Sequence, residues 1–225
     1  DGNSAFPPRN FFVFPSQVRR LVPTPDALLV FTAADVWQIR GKGTSESPLF
    51  AKPAVPKLGL EDYDALDING GIIFLISSDS TAVSLDPGSG YSEISMPIGN
   101  MLSCALFGLP LDAGNFEVPT HDQEGTTTSS YVSWHNGGPN DKALYVTVPA
   151  TSNATWFRLS PTSAPESGQS WSPPAVFAGG CSAVQSVEIF PGRSRLLMGP
   201  GTSGTILHRE SSVYADNGTT YDAWA

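Results

Sequence analysis

The sequence repeats one local pattern four times: a short strand, a tight turn, a second strand, a polar loop and a third strand. The turns contain Gly, Asn or Pro, which supply the positive φ or the fixed φ that hairpin connections need. The four copies span residues 18–41, 65–87, 131–161 and 184–210. A more polar segment follows each copy and is predicted to form a fourth strand, at residues 47–53, 91–97, 171–177 and 211–217. Each unit is therefore expected to form a four-stranded antiparallel meander.

The second strand of each unit is nearly all apolar, as expected of a strand that is buried on both faces. The third strand tends to alternate, which favours a position nearer the edge of the sheet. Its large side chains on one side are Trp37/Ile39, Val83/Leu85 and Phe157/Leu159. The second strands begin near Leu28, Ile72, Ala143 and Arg195, at spacings of 44, 71 and 52 residues. The longest spacing contains residues 108–130, which we interpret as a loop insertion.

Four such meanders predict an all-β fold, and their spacing favours a β-propeller-like body with about four recognisable blades. One four-stranded sheet cannot cover both of its own faces, whereas blades stacked around an axis bury them and leave only short edges. A β-sandwich is the alternative, because it also has many short strands with frequent turns. A helix over residues 26–40, capped by Asp26, is a further alternative, although Val, Phe, Thr, Trp and Ile in that segment favour strands.

The length of 225 residues suits a single domain, since all-β domains commonly reach this size. The 22 glycines and 20 prolines interrupt the chain too often for long helices. Residues 1–225 are therefore expected to form one propeller-like domain or part of a larger one. The first residue is Asp1 rather than Met, which indicates a processed or partial chain.

The formal net charge of −9 limits the partners that we expect. Proteins that bind nucleic acid usually carry a basic patch, and the longest run of basic residues here is Arg19-Arg20. We therefore expect no specific nucleic-acid binding and no binding to an anionic membrane. No apolar run approaches the ~18 residues of a transmembrane helix. An acidic wall would instead let DNA pass nearby without adhering to it.

The residues that could carry catalysis or bind metal form no recognisable motif. The histidines lie far apart in sequence, and we interpret His121 and His135 as solvated loop residues and His208 as a surface residue of the last strand. Cys104 and Cys181 are interpreted as two small buried thiols, with a disulfide as the alternative. We assign no catalytic, cofactor-binding or metal-binding residue, expect no cofactor, and predict that the chain is not an enzyme.

Two segments carry weaker signals for a hydrolase. The acidic residues of 59–67 could supply carboxylates for glycoside hydrolysis or ligands for calcium, but a solvent-exposed acidic stretch explains them more simply. Residues 164–171, APESGQSW, resemble the Asp-box of sialidase-type propellers at Gly168 and Trp171. In that family the box shapes a hairpin turn and packs its Trp, and it takes no part in catalysis. A sialidase-like or glycosidase-like hydrolase therefore ranks lowest of the functions considered.

Residues 156–225 resemble a set of phage and prophage proteins from tail regions. Residues 28–41, LLVFTAADVWQIRG, are similar to the recurrent hairpin of podovirus-type tail nozzle, or tail tubular, proteins. In those proteins a propeller-like body builds a ring beneath the portal, and the chain continues beyond the point matched by Trp224-Ala225. The resemblance implies a homo-oligomeric ring that assembles with other tail proteins, and it transfers no functional residue.

The function favoured by these observations is a structural virion component of a phage tail, nozzle-like or hub-like, located in the virion. The alternative is a carbohydrate-binding or receptor-binding propeller module, in which exposed Trp134, Trp156 and Trp171 would stack on sugar rings. Packing of these three rings between blades is the simpler interpretation of their positions.

Overall fold

The structure is a computed structural model in which, among the described residues, one segment is helical and every other regular element is a β-strand. It describes residues 11–96, 98–107, 130–137, 142–149, 154–160, 170–172, 174–177, 181, 183–199, 206–208, 215–216 and 219–220. The chain divides into two compact units, Asp1–Tyr63 with Ser77–Asp79, and Asp64–Ile76 with Ser80–Ala225. The predicted all-β class is confirmed, in the form of separate antiparallel sheets.

The first unit contains one four-stranded meander, the first sheet. Its strands are β1 (Val18–Pro23), β2 (Leu28–Thr32), β3 (Val36–Arg40) and β4 (Phe50–Val55), and they pair in that order. The alternative prediction of a helix over residues 26–40 is wrong. This segment forms a hairpin instead, because Thr32 Oγ1 donates to the Asp35 carbonyl at 2.8 Å and accepts the Asp35 N–H at 2.9 Å across the β2–β3 loop.

Side chains on both faces of β2 are buried, as predicted for a second strand. Leu29, Val30, Phe31 and Thr32 are all 5% exposed or less. The backbone at Gly59 lies so close to the backbone at Ala33 that only glycine fits at position 59. A Cβ on Gly59 would lie 2.1 Å from the Ala33 carbonyl oxygen.

The second sheet opens the second unit and is also a four-stranded meander. Its strands are β5 (Leu66–Asn69), β6 (Ile72–Ile76), β7 (Ala82–Asp86) and β8 (Gly90–Glu93). The β5–β6 turn uses Gly70 and Gly71 at φ of +59° and +86°, the positive values that were predicted for this turn. A helix that was not predicted, α1 (Gly99–Leu106), follows the second sheet and buries Leu102, Cys104, Ala105 and Leu106.

The third sheet has its fourth strand in two pieces. Its strands are β9 (Tyr131–Asn136), β10 (Lys142–Val148), β11 (Ala154–Ser160), β12 (Ser170–Trp171) and β13 (Ala175–Phe177), of which β12 and β13 both pair with β11. Six of the seven residues of β10 are buried, which confirms the prediction for this second strand. The predicted insertion at 108–130 lies outside the described residues, apart from Ser130.

The fourth sheet departs most from the prediction. Its described strands are β14 (Ala183–Phe190), β15 (Arg193–Gly199) and β16 (Leu207–His208). Only one residue of β15, Leu196, is buried, so the expectation that this second strand is covered on both faces is wrong. The prediction that residues 211–217 form the fourth strand of this sheet is also wrong. Strand β17 (Ala215–Asp216) pairs instead with β18 (Thr219–Thr220), and the two form a separate two-stranded sheet.

Candidate functional site

Strand β9 carries the contacts that join the sheets of the second unit. It is an edge strand of the third sheet, so every second N–H group points away from β10. The Val132 N–H donates to the Asp64 carbonyl at 3.2 Å, the Trp134 N–H to Asp67 Oδ2 at 2.6 Å, and the Asn136 N–H to Ser194 Oγ at 2.7 Å. All three outward N–H groups of β9 therefore have acceptors, which removes the exposed donors that make edge strands prone to aggregation.

Aromatic packing joins the second and third sheets. The rings of Phe74 on β6 and Trp134 on β9 are stacked, with centroids 5.5 Å apart and an interplanar angle of 11°. Trp171 at the other edge of the third sheet donates from Nε1 to the Ile94 carbonyl at 2.7 Å. Because successive side chains alternate between faces, Trp134, Leu144 and Phe157 share the face of the third sheet that meets the second sheet.

The opposite face of the third sheet meets the fourth sheet through a hydrophobic cluster. The buried members of this cluster are Ala143, Tyr145, Ala154, Cys181, Val184 and Leu196, with Tyr131, Trp156 and Met198 packed against them. Trp156 stacks on Tyr145 with centroids 5.4 Å apart. The Ser186 N–H also donates to Ser133 Oγ at 3.1 Å. The third sheet is thus covered on both faces, as the apolar sequence of β10 predicts.

The contacts advance in the same direction along β5, β9 and β14. Asp64 and Asp67 contact Val132 and Trp134 in that order. Ser133 contacts Ser186 of the fourth sheet, and Asn136, further along β9, contacts Ser194. Ser194 pairs with Glu188 of β14, so the contacts also advance along β14, from Ser186 toward Glu188. The first strands of three consecutive meanders therefore run the same way, and their first hairpin turns lie at the same end.

His135 is only 2% exposed, so its interpretation as a solvated loop residue is wrong. Strand β9 continues two residues past Trp134 and places His135 on the face toward the fourth sheet. His135 Nδ1 lies 3.3 Å from Ser194 Oγ, and the His135 and Tyr145 rings meet edge to face with centroids 6.1 Å apart. Ser194 Oγ already accepts the Asn136 N–H, so this Ser–His pair joins two sheets at a buried position rather than opening toward a substrate.

The remaining sequence candidates have mixed outcomes. No disulfide joins Cys104 and Cys181, and both are buried, which confirms the favoured interpretation. Burial raises the pKa of both thiols, and Cys181 Sγ also donates to the Ala183 carbonyl at 3.2 Å. His208 lies on β16, on a strand as predicted. His121 and residues 164–169 of the Asp-box-like segment lie outside the described residues.

The acidic stretch is less exposed than the sequence indicates. Glu61, Asp62, Asp64 and Asp67 are all partly buried. The Asp67 carboxylate binds a backbone N–H of β9, and Asp62 Oδ1 accepts the neighbouring Tyr63 N–H at 2.7 Å. Among the described residues, no group of three or more His, Cys, Asp or Glu side chains is placed to hold a metal ion.

The three tryptophans proposed for sugar stacking are engaged within the protein. Trp134 packs on Phe74, Trp156 packs on Tyr145, and Trp171 donates to a backbone carbonyl. All three are partly buried rather than exposed, as the packing interpretation of these residues predicts.

Sequence reasoning missed Asp67, Asn136 and Ser194, which hold the sheets together through polar contacts. Their partners are 56 to 67 residues away in the sequence, so no local pattern marks them.

The chain matches no model of a known protein family, and no curated protein shows significant similarity to it. In the part of the chain that the structure describes, no helix has the length and apolar character needed to span a membrane.

Proposed function

We propose that this protein is a structural component of a phage tail, nozzle-like or hub-like, that acts by assembling with other tail proteins in the virion. The observation that carries the proposal is the repeated stacking of meander sheets through buried contacts. The Phe74–Trp134 stack and the hydrophobic cluster around Tyr145 make this part of the chain a scaffold. The resemblance of residues 28–41 and 156–225 to tail proteins supplies the location.

A β-propeller-like arrangement of the sheets is part of this proposal. In a propeller, the first strand of every blade lies innermost and all first strands run the same way, whereas the two sheets of a sandwich pack with their faces opposed. The common direction of β5, β9 and β14 supports the propeller arrangement over the sandwich. The outermost strand β8 is exposed at all four residues, which also fits the rim of a propeller.

The polar residues that join the sheets support a role without catalysis. The Ser194 hydroxyl and the Asp67 carboxylate, which a hydrolase would need to expose, are both used as acceptors for backbone N–H groups of β9. The net charge of −9 is compatible with a wall past which DNA moves, because like charges repel the phosphates.

The proposal is tested by locating the protein in purified phage particles. An epitope tag inserted in the exposed Gly41–Glu46 segment should be labelled by gold-conjugated antibody at one end of the tail. A matched particle without the tag controls for non-specific labelling. Particles that lack the protein, both by labelling and by mass spectrometry, would contradict the proposal.

A further inference from the structure

One end of the fourth sheet, the β14–β15 hairpin, presents apolar and basic side chains on a single face. Leu196 belongs to the hydrophobic cluster that meets the third sheet, so Arg195 and Arg193, which alternate with the inward positions, point away from that sheet. Val187 is paired with Arg195, and Phe190 is paired with Arg193. Directly paired residues of two antiparallel strands share a face, so all four side chains lie on the outward face of the hairpin.

The apolar side chains at this end of the sheet are exposed. Val187 is 40% exposed, Ile189 is 43% exposed and Phe190 is 66% exposed. Both arginines are exposed as well. Single exposed apolar residues are ordinary, whereas a group of them bordered by charged side chains marks an interaction site. The group formed by these five residues is called the hairpin tip: Val187, Ile189, Phe190, Arg193 and Arg195.

The turn that carries the hairpin tip is fixed by its own residues and by the third sheet. Pro191 presets its own φ, and Gly192 supplies the positive φ of +73° that the turn requires. Glu188 Oε1 accepts the Gly192 N–H at 2.7 Å, and the Asn136 side chain of β9 donates to the Gly192 carbonyl. The exposed side chains are therefore held in place before any partner arrives, and binding does not have to order a loop.

The charge of the hairpin tip is opposite in sign to the charge of the whole chain. In the described part of the fourth sheet, Glu188 is the one acidic residue, and its carboxylate is bonded to the Gly192 N–H. The net charge of −9 predicts repulsion from an anionic membrane. At physiological ionic strength, however, exposed charges more than about 8 Å apart are largely screened from one another. The electrostatic potential at the tip is therefore set by Arg193 and Arg195.

The size of the hairpin tip favours a lipid surface over a protein partner. Each partner of a stable protein complex buries about 800 Å², and three partly exposed apolar side chains supply much less apolar area than such an interface uses. A lipid surface needs no complementary pocket. A few apolar side chains can enter the boundary between headgroups and acyl chains while neighbouring cations contact anionic headgroups.

We propose that the hairpin tip attaches the protein to an anionic lipid bilayer. Ile189 and Phe190 insert into the boundary between headgroups and acyl chains, and Arg193 and Arg195 bind the anionic headgroups. The inference goes beyond the proposed tail role and stands on the hairpin alone. It is tested with purified protein and vesicles, so its failure is distinguishable from absence of the protein from a virion.

The first test is flotation of the purified protein with vesicles, made either of phosphatidylcholine alone or of equal amounts of phosphatidylcholine and phosphatidylserine. The protein should float with the mixed vesicles and not with phosphatidylcholine alone. Phe190→Ser should lower the partition coefficient about tenfold, because it removes the largest apolar side chain that enters the lipid. Phe50→Ser, at a 50%-exposed phenylalanine of the first sheet, is the matched control and should leave the partition coefficient unchanged.

The arginines are tested in the same assay. Arg193→Ser and Arg195→Ser should each lower the partition coefficient about fivefold, the loss expected for one basic residue near an anionic surface. Lys52→Ser, which removes an exposed cation of the first sheet, is the control and should have no effect. Circular dichroism should show an unchanged fold in every variant, because the altered side chains are exposed.

A fluorescent label at the hairpin tip reports insertion directly. Cys104 and Cys181 are buried, so a nitrobenzoxadiazole label attaches to the introduced thiol of Phe190→Cys. Its emission should shift to shorter wavelength on the mixed vesicles and should be quenched by lipids brominated in their acyl chains. The same label on Phe50→Cys should show neither effect. An unshifted and unquenched label at position 190 would overturn the proposal, and so would equal losses of binding in Phe190→Ser and Phe50→Ser or equal flotation with phosphatidylcholine alone.

Discussion

Asp67 Oδ2 accepts the backbone N–H of Trp134 at 2.6 Å, across 67 residues of sequence and between two different sheets. The carboxylate takes the place of the carbonyl that a further strand would supply. It accepts the Trp134 N–H of the edge strand β9, which would otherwise face the neighbouring sheet without an acceptor. The short distance is typical of a hydrogen bond to a charged acceptor, which is stronger than a bond between neutral groups.

Replacement of Asp67 should therefore destabilise the second unit. Asp67→Ala leaves the Trp134 N–H without its acceptor and should lower the free energy of unfolding by about 1–3 kcal/mol. Asp67→Asn keeps an acceptor oxygen and should lose less. Urea unfolding followed by circular dichroism measures both changes. Asp62→Ala is the control, because within the described part of the chain Asp62 bonds only to the adjacent Tyr63 N–H. A loss in this control equal to that of Asp67→Ala would contradict the assignment.

The Phe74–Trp134 stack should contribute a measurable coupling energy between the second and third sheets. Stacked aromatic pairs contribute about 0.5–1.5 kcal/mol beyond the area that they bury. A double-mutant cycle with Phe74→Ala and Trp134→Ala, read out by urea unfolding, should return a coupling in this range. The same cycle with Trp134→Ala and Tyr91→Ala should be additive, because Tyr91 is 55% exposed on β8. A zero coupling between Phe74 and Trp134 would mean that the two rings do not touch in solution.

The strands of the first two sheets were predictable because their signals are local. Alternating and continuous apolar runs, bounded by turns such as Gly70-Gly71, place β1 to β3 and β5 to β7 within two residues of their observed ends. Helix α1 was missed because it lacks a start signal: Ile98 at its N-cap has no side-chain acceptor.

The polar contacts between sheets were not predictable for a different reason. His135 lies between Trp134 and a Gly-rich segment, and this pattern predicts a turn. In the structure, β9 continues through His135, and the neighbouring sheet buries the His135 side chain. The acceptor roles of Asp67 and Ser194 depend on which sheets become neighbours, and that arrangement is set by tertiary packing rather than by the residues around each site.

Both thiols should be unreactive in the folded protein. Cys104 and Cys181 are each 2% exposed, and the raised pKa that burial gives them keeps the nucleophilic thiolate scarce near pH 8. An Ellman assay at pH 8 should detect no rapidly reacting thiol in native protein and two in denaturant. Rapid labelling of native protein at Cys181, identified by mass spectrometry, would show that the cluster between the third and fourth sheets is open.

Asp86 should titrate below the usual range for aspartate. The Ser89 hydroxyl donates to its carboxylate at 2.6 Å and the Gly88 N–H at 2.8 Å, and these bonds lower the pKa of Asp86. Because the folded-state pKa is the lower one, this stabilisation is complete above the unfolded-state pKa and is lost as pH falls through the folded-state pKa. Carboxyl NMR titration should show the pKa rise in Ser89→Ala and stay constant in Ser92→Ala. An unchanged pKa in Ser89→Ala would contradict the hairpin geometry.

Amide hydrogen exchange along β9, measured by NMR, tests the stacking of the sheets most directly. At a free sheet edge, exchange alternates: Tyr131, Ser133 and His135, whose N–H groups point toward β10, are protected, and their neighbours exchange rapidly. With both neighbouring sheets in place, the N–H groups of Val132, Trp134 and Asn136 should be protected as well. Rapid exchange at these three positions, beside slow exchange at the other three, would contradict the stacked arrangement.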